Sequence, residues 1–229
     1  MTTDNNEPIA VDELIRSHRR SISIELTPTG RVLVRAPHRA PLTAIMDFVR
    51  RKSGWIIEKR TLLEARTIST PKKQFVDGET FLFLGETYKL AVIENAEEYL
   101  RFENGFFLSA VFPYDRRELF VQWYKGKAKE VLSERVRHYA AISALRHAGV
   151  TVSDALMRWG SCSPEGRISF AWRLVMAPLP IVDYVVVHEL AHIAESNHSA
   201  RFWAKVLSIM PDYHPRRRWL KENGHALNF

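Results

Sequence analysis

The sequence predicts an α+β protein, with antiparallel hairpins in the N-terminal half and helices with a small sheet in the C-terminal half. Strand-like runs punctuated by turn residues continue to residue 115, whereas residues 116–148 contain no Pro and a single Gly. With 229 residues, 46% of them hydrophobic, the chain has enough apolar material for a proper core. This composition excludes a disordered chain and a small disulfide-stapled one.

The first elements are predicted from alternation and periodicity. Residues 1–18 are interpreted as a polar leader. Residues 21–36 alternate apolar and polar side chains around Pro28-Thr29-Gly30, which predicts a β-hairpin. In residues 42–66 the apolar positions recur near a 3.6-residue period, which predicts one long helix.

Residues 19–115 together are predicted to be a β-rich region. Its second half carries four strand-like runs, TFLFLG, TYKLAVIE, EEYLRFE and GFFLSAVF. The pair Asn104-Gly105 between the last two runs is typical of a hairpin turn.

Residues 116–229 are predicted to be the more helical region, packed with the first as one unit because no linker-like composition separates them. Residues 116–148 predict one amphipathic helix, stopped by Gly149. Strands are expected at residues 151–156 and 167–175, joined by the polar loop RWGSCSPEG.

The charge pattern and the single cysteine bear on partners and compartment. A net charge of +7 permits anionic partners but does not require them. One cysteine, Cys162, excludes an intrachain disulfide and fits a reducing compartment. The N-terminus carries no apolar secretory segment, and no run is long enough to span a bilayer. We therefore expect a cytoplasmic protein without a membrane partner.

The strongest chemical signal is the run His188-Glu189-Leu190-Ala191-His192. Residues four apart share one face of a helix, so both imidazoles can bind one metal ion. Neutral imidazole is a favoured ligand of Zn²⁺, and the adjacent Glu189 can accept a proton from a water that the metal activates. The run predicts one zinc ion per chain, with another divalent metal as the alternative.

A third ligand is needed to complete such a site. His198 follows Asn197, where the chain can leave the helix and turn back, and a third imidazole leaves one coordination position open, as in catalytic zinc sites. Glu195 is a rival, although a straight helix places it a turn too far along the axis. The alternative to a metal site is a buried helix whose imidazoles make ordinary hydrogen bonds, but burying them without partners would be unfavourable.

At this point the chain resembles the YgjP-like metallopeptidase-domain proteins, relatives of the SprT and WLM zinc peptidases. The resemblance covers nearly the whole chain. Many zinc peptidases share the metal motif, whereas three other elements are more specific to the family: Arg158-Trp159-Gly160-Ser161-Cys162-Ser163, Asn197-His198-Ser199 and Phe202-Trp203.

The resemblance implies a zincin-like catalytic half. It implies metal ligands at His188, His192 and His198 and a general base at Glu189. The chain departs from the family at Ala171, where relatives often have Asn before Trp-Arg-Leu. No metal or base position is affected.

Metal-assisted hydrolysis of a peptide is the first functional hypothesis. In zincins a strand beside the metal helix pairs with an extended peptide, and here Arg167–Arg173 is expected to do so, flanked by the loop Arg158–Ser163. Arg173, Tyr213 and His214 are candidates for contacting the substrate and its developing oxyanion.

Two other hypotheses keep parts of this site. A phosphoanhydride such as a nucleotide requires cations, and the candidates are Arg158, Arg173, Arg216, Arg217 and Arg218, although the chain has no P-loop. A nucleic-acid-associated module is suggested by the SprT kinship, but no zinc finger, RNP motif or helix-turn-helix supports it, and it is not favoured. Cys162 is interpreted as a structural thiol, because no partner base is identifiable.

Overall fold

The computed structural model describes residues 9–27, 30–69, 73–94, 97–156 and 158–229. It divides the chain into two compact units, Met1–Pro71 and Lys72–Phe229. The α+β class is confirmed, since the described residues form six α-helices and three small sheets. Each sheet contains one parallel strand pair beside its antiparallel pairing, so the predicted antiparallel hairpins account for only part of each sheet.

The first unit is a three-stranded sheet with two helices. Its elements are β1 (Glu13–Ser17), β2 (Ser23–Leu26), β3 (Val32–Pro37), α1 (Leu42–Arg51) and α2 (Ser53–Ser69). The central strand β3 pairs antiparallel with β2, which confirms the predicted hairpin, and parallel with β1. Strand β1 lies within the predicted polar leader. Residues 1–8, the turn residues Pro28 and Thr29, and the side chains of Leu62 and Leu63 lie outside the described residues.

The predicted helix over residues 42–66 is two helices. Lys52 separates them with φ −101° and ψ 8°, and its N–H points at the carbonyls of Phe48 and Val49 in the preceding turn. Ile45, Val49 and Ile56 are buried together with the sheet side chains, so the apolar period continues across the break. The periodicity therefore predicted the burial of Ile45, Val49 and Ile56 correctly, but it did not predict the interruption, and Leu42, also on the periodic positions, is 58% exposed.

The second unit holds two sheets and four helices among its described residues. Its elements are β4 (Thr80–Phe83), β5 (Glu86–Ile93), β6 (Leu100–Phe102), β7 (Phe106–Ser109), α3 (Arg116–Ser143), β8 (Gly149–Ser153), β9 (Gly160–Cys162), β10 (Arg167–Ala171), α4 (Leu179–Ala194), α5 (Ala200–Ile209) and α6 (Tyr213–Asn223). The strand orders are β4-β5-β7-β6 and β8-β10-β9. Antiparallel pairing of β6 with β7 confirms the turn at Asn104-Gly105.

An aromatic core joins the β4-β5-β7-β6 sheet to helix α3. The rings of Phe81 and Phe106 lie 4.5 and 5.1 Å from that of Phe120, measured between centroids. The buried Tyr124 hydroxyl donates to the Leu82 carbonyl at 2.6 Å. The strands before residue 115 therefore share one core with the helices after it, and the compact units divide at residue 71, which differs from the boundary at 115 expected from the sequence.

Helix α3 ends earlier than predicted. Ala144 takes a left-handed conformation, φ 55°, and its N–H bonds to the Ala140 carbonyl, which closes the helix at Ser143. Gly149 instead begins β8, and Ile142 is 58% exposed rather than part of the buried stripe. Local sequence did not show this end, because an Ala rarely adopts a left-handed conformation.

Helix α4 runs through the middle of the second unit. Its residues Ile181–Val187 are all buried, which explains why a Val-rich run with high strand propensity is helical: a helix that is apolar all round belongs in a core. The β4–β5 turn contacts the segment that leads into α4. Gly85 in this turn has φ +87°, and a Cβ on it would clash with Pro178. Within the described ranges, no helix combines the length and apolar character needed to cross a membrane.

A buried ion pair connects α3 to α4. Arg135 donates through Nε to Asp183 Oδ1 at 2.6 Å and through a terminal nitrogen to Oδ2 at 2.9 Å, and the Tyr139 hydroxyl donates to Oδ2 at 3.1 Å. Asp183 is only 6% exposed. The buried Asp183 carboxylate therefore depends on Arg135 and Tyr139 for its hydrogen bonds.

Replacing one partner of this pair should destabilise the second unit. We expect Arg135→Met to lower the free energy of unfolding by roughly 1–3 kcal/mol, because the buried Asp183 carboxylate loses two of its hydrogen bonds and keeps only that from Tyr139. Urea denaturation followed by tryptophan fluorescence measures this change. The control is Glu130→Ala on the same helix, which removes an exposed ion pair with Lys127 and should cost less than about 1 kcal/mol. Equal losses of unfolding free energy in the two variants would contradict the stabilising role of the Arg135–Asp183 pair.

Candidate metal centre

Two of the three imidazoles are displayed by the last turns of α4. The helix starts after Pro178, with Pro180 in its first turn, where the ring costs no hydrogen bond. His188 and His192 lie one turn apart on the same face, and their ring centroids are 5.0 Å apart. The helix ends where Glu195 adopts an extended conformation, φ −136° and ψ 105°.

A short connection returns His198 to that face. Ser199 caps α5, accepting a hydrogen bond from the Phe202 N–H at 3.4 Å, so only a few residues separate the two helices. His198 Nε2 lies 3.0 Å from His188 Nε2, and its ring centroid lies 4.7 Å from that of His192. The structure therefore brings together the three residues that the sequence predicted.

The donor atoms fit a metal ion. One nitrogen from each imidazole can be chosen so that all three lie within 4.8 Å of one another. Two unprotonated Nε2 atoms at 3.0 Å would repel each other through their lone pairs, and a cation between them removes this repulsion. His188 and His192 are half-buried while His198 is exposed, so the cluster opens to solvent on one side.

Phe202 forms the apolar base of the cluster. Its fully buried ring lies 4.9, 4.5 and 4.8 Å from the centroids of His188, His192 and His198. A single ring in contact with all three imidazoles restricts their tilt and excludes water from beneath them. From the sequence, Phe202 stood out only as part of the family element Phe202-Trp203, and no role in the site was expected for it.

The tautomer of His192 is set by a hydrogen-bond partner that is not one of the three histidines. Its Nδ1 lies 3.1 Å from the backbone carbonyl of Glu195, so Nδ1–H donates and Nε2 is left free for a metal. Glu195 thus contributes a carbonyl oxygen, and its carboxylate is absent from the cluster formed by the described residues. His188 Nδ1 is buried and makes no hydrogen bond to a described residue.

Burial keeps two of the imidazoles neutral. Desolvation lowers the pKa of His188 to about 3, with smaller contributions from the neighbouring charges of His192, His198 and Arg217. Desolvation also lowers the pKa of His192. Neutral imidazole is the form that binds metal, so the pocket holds these two residues in the ligand state at neutral pH.

Glu189 is the buried carboxylate beside the imidazoles. It is 5% exposed, and desolvation raises its pKa to about 7, opposed in part by the positive charge of Arg158. Its Oε2 is buried without a hydrogen bond from any described residue. A carboxyl group with a pKa near neutrality can both accept and return a proton at physiological pH.

The strand beside Glu189 is β9, which the sequence analysis treated as part of a loop. It pairs with β10 only, whereas β10 is central and pairs with β8 and β9. The expectation that Arg167–Arg173 aligns a peptide is therefore wrong: Arg167–Ala171 forms β10, which is paired on both edges, and Trp172–Met176 forms a 3₁₀ helix. Among the described strands, Gly160–Cys162 forms the edge of the sheet that lies next to α4 and has no partner strand.

Arg173 does not join the site. It is 8% exposed, donates to Asn228 Oδ1 at 2.9 Å and lies 4.2 Å over the Trp172 ring. Its guanidinium is therefore committed to the core near the last residues of the chain. Arg158 by contrast is exposed and close enough to Glu189 to act on its ionisation.

The other predicted contacts form an aromatic stack next to the cluster. Trp203 lies 5.9 Å from the centroids of both His188 and His198, and Tyr213 stacks on Trp203 at 5.4 Å. His214 stacks in turn on Tyr213 at 4.0 Å. Tyr213 is buried and His214 is exposed, so both are one or two rings removed from the imidazole nitrogens.

The three consecutive arginines of α6 differ in their surroundings. Arg217 lies 4.5 Å over Trp203, and its charge contributes to the lowered pKa of His188. Arg216 is held by Asp212 Oδ2 at 2.7 Å and the Pro180 carbonyl at 3.1 Å. Of these two, Arg217 is the one that faces the cluster.

Cys162 lies closer to the site than expected but is not activated. Burial raises the pKa of its thiol, and the negative charge of Glu189 raises it further. The thiol donates weakly to the Ser163 carbonyl at 3.5 Å. A protonated thiol is a poor nucleophile, which agrees with the structural interpretation.

The ionisation of Glu189 should make the stability of the metal-free protein depend on pH. Between pH 4.5 and about 7 the folded protein holds a proton that the unfolded chain releases, so this residue lowers the free energy of unfolding as pH rises through that window. Metal-stripped Glu189→Gln should be more stable than wild type above about pH 7, by of order 1–3 kcal/mol, and similar at about pH 4. Urea denaturation at both pH values checks this; an equal difference at both would contradict it.

Three comparisons relate the chain to known proteins. The family described as "YgjP-like, metallopeptidase domain" matches residues 20–223. The UTP pyrophosphatase of Escherichia coli (strain K12) is 29% identical over 93 residues, which are 38% of this chain and 56% of that protein. The chain thus aligns with little more than half of that relative. A crystal structure of the metallopeptidase zymogen of Pyrococcus abyssi abylysin matches with a TM-score of 0.37 and 21% identity, covering 40% of this chain and 93% of the other.

The family match spans most of the chain and includes both the imidazole cluster and the strand beside it. Family membership supports a metal-dependent hydrolase and implies a divalent metal ion. The chain belongs to the YgjP-like metallopeptidase-domain family.

Proposed function

We propose that this protein is a zinc-dependent hydrolase that cleaves peptide bonds with Glu189 as the general base. The observation that carries the proposal is the convergence of three imidazoles on a side of the unit that is open to solvent, with a buried carboxylate on Glu189, the residue that follows His188. Three nitrogen ligands and an open position are typical of catalytic zinc sites. An all-nitrogen donor set favours zinc over magnesium or calcium, which prefer oxygen ligands.

His188, His192 and His198 would hold the metal ion. When bound, the ion would supply a Lewis acid that acidifies a water molecule and polarises the substrate oxygen. Phe202 keeps the imidazoles in place, and the Glu195 carbonyl fixes the tautomer of His192. These contacts are made by the chain's own residues, so the fold itself orients the proposed ligands.

Glu189 would move the proton. Its carboxylate accepts a proton from the attacking water and returns it to the leaving group. Burial supports this role because it raises the pKa of the carboxyl to about 7, close to the pH at which both transfers must occur. Arg158 would keep the group partly ionised by its positive charge.

Strand β9 would align the substrate. Its outer edge carries backbone groups that no described strand pairs with, and Gly160 on this strand contacts Glu189. An extended peptide that adds to this edge would therefore pass the general base. This arrangement favours a polymeric substrate with a free backbone over a compact one.

Phosphoanhydride hydrolysis is the second candidate. It is favoured by the partial similarity to a UTP pyrophosphatase and by two exposed guanidinium groups, those of Arg158 and Arg217, whose charges act on Glu189 and His188 respectively. In that reaction water would attack phosphorus, giving a nucleoside monophosphate and pyrophosphate from a triphosphate. The same three histidines and the same base would serve.

Loss of one imidazole should release the metal. We expect wild type to bind one zinc ion per chain and His192→Ala to bind it at least about 100-fold more weakly. Elemental analysis and competition with a chelating dye measure both quantities. His225→Ala, an exposed histidine outside the cluster, is the control and should bind zinc as wild type does. Equal zinc affinity in His192→Ala and wild type would contradict the ligand assignment.

Loss of the carboxylate should abolish turnover without releasing the metal. We expect Glu189→Gln to keep its zinc and to lose about 10²–10⁴-fold in kcat. Glu134→Gln is the matched control, because its carboxylate is exposed on α3 and lies outside the cluster, and it should retain both properties. The assay compares casein-derived peptides with UTP, with and without chelator.

Chelator-sensitive peptide cleavage would support the first candidate, and pyrophosphate release from UTP without peptide cleavage would assign the site to the second. Full activity in Glu189→Gln would remove Glu189 as the base for either substrate.

A further inference from the structure

Gly160 and Glu189 are so close that no residue with a side chain could occupy position 160 without a clash. A Cβ built on Gly160 would lie 2.6 Å from both Cγ and Oε1 of Glu189 and 2.8 Å from Cδ. Ordinary van der Waals contact begins at 3.4 Å, so even one methyl group is too large for this space. The space beside Gly160 is therefore filled by the Glu189 side chain.

We propose that Gly160 is a positioning residue for the general base. Because glycine has no side chain, it leaves the space in which the Glu189 carboxylate lies when it transfers the proton. This inference rests on the proposed function, because it presupposes that Glu189 moves the proton. It assigns a specific role to one residue of the RWGSCS loop.

The backbone conformation does not itself require glycine at this position. The glycines with positive φ among the described residues are Gly30, Gly78, Gly85, Gly149 and Gly166, and Gly160 is absent from them. Position 160 lies in a short strand whose geometry any residue can adopt. The requirement for glycine therefore comes from the contact with Glu189 and not from a turn.

The strand cannot retreat to relieve a clash. Gly160 is opposite Phe170 in the antiparallel pairing, and the Trp159 carbonyl accepts a hydrogen bond from the Ala171 N–H at 2.9 Å. The Trp159 ring packs on Gly224, where an added Cβ would lie 3.0 Å from the ring. Strand β9 is thus held both by its sheet and by the residues after α6.

Helix α4 cannot move either, because it is buried along most of its length. The atoms that a Cβ at position 160 would meet belong to the flexible end of the Glu189 side chain. The carboxylate is the part that yields, and its Oε2 has no hydrogen bond from a described residue to resist the displacement. A larger residue at position 160 would therefore leave the fold intact and misplace the base.

The test uses four zinc-loaded proteins: wild type, Gly160→Ala, Glu189→Gln and the double variant. A displacement approaching 1 Å at a reacting group can cost about 100-fold in rate, so we expect Gly160→Ala to lose about 100-fold in kcat with unchanged KM and zinc affinity. The double variant should be no slower than Glu189→Gln alone, because the position of the side chain no longer matters without the carboxylate. Gly126→Ala, with nothing within 4 Å of the added carbon, is the control and should retain full activity.

A second readout does not depend on turnover. Crystal structures of zinc-loaded wild type and Gly160→Ala should show the carboxylate moved by at least 0.8 Å, the distance needed to bring 2.6 Å to 3.4 Å, with β9 and the imidazoles in place. An unmoved carboxylate, or an equal loss of kcat from Gly160→Ala in the presence and absence of Glu189, would overturn the inference. Full activity in Gly160→Ala with an inactive Glu189→Gln would overturn the role of Gly160 alone, whereas an active Glu189→Gln would overturn the proposed function with it.

Discussion

The burial of helix α4 is the constraint on which the rest of the second unit depends. Val182, Val186, Val187 and Leu190 are all 0% exposed. Rotation or unwinding of such a helix would expose apolar surface at about 25 cal/mol per Å², so its register relative to its neighbours is strongly determined. Because His188, Glu189 and His192 are part of this helix, the positions of two proposed ligands and of the proposed base follow from core packing. The proposed function would therefore rely on the rigidity of the core rather than on a mobile loop.

The same burial also sets the chemistry of these groups. Removing a charge from water is unfavourable, so desolvation lowers the pKa of His188 and raises that of Glu189. The two shifts have opposite directions and one cause, and both favour the proposed roles: a neutral imidazole as ligand and a carboxyl group that exchanges its proton near pH 7. The solvent-facing His198 completes the cluster without closing it.

The cluster could be predicted from sequence because its residues are joined by local geometry. A spacing of four on a helix and a short return after Asn197 suffice to bring three imidazoles together. The features that were missed depend on distant contacts. Strand β9 exists only through its pairing with β10, and Arg173 is excluded from the site because it binds Asn228 at the far end of the sequence. The end of α3 at Ala144 has no local signal, since alanine favours continuing a helix.

X-ray absorption at the zinc edge of the loaded protein tests the central claim most directly, that core packing preforms a site of three imidazoles. We expect three imidazole nitrogens and one further light atom at about 2.0–2.1 Å from the zinc ion. We also expect the spectrum of His198→Ala to show one imidazole fewer. A sulfur at about 2.3 Å, which would place Cys162 on the metal, or a spectrum unchanged in His198→Ala would contradict it.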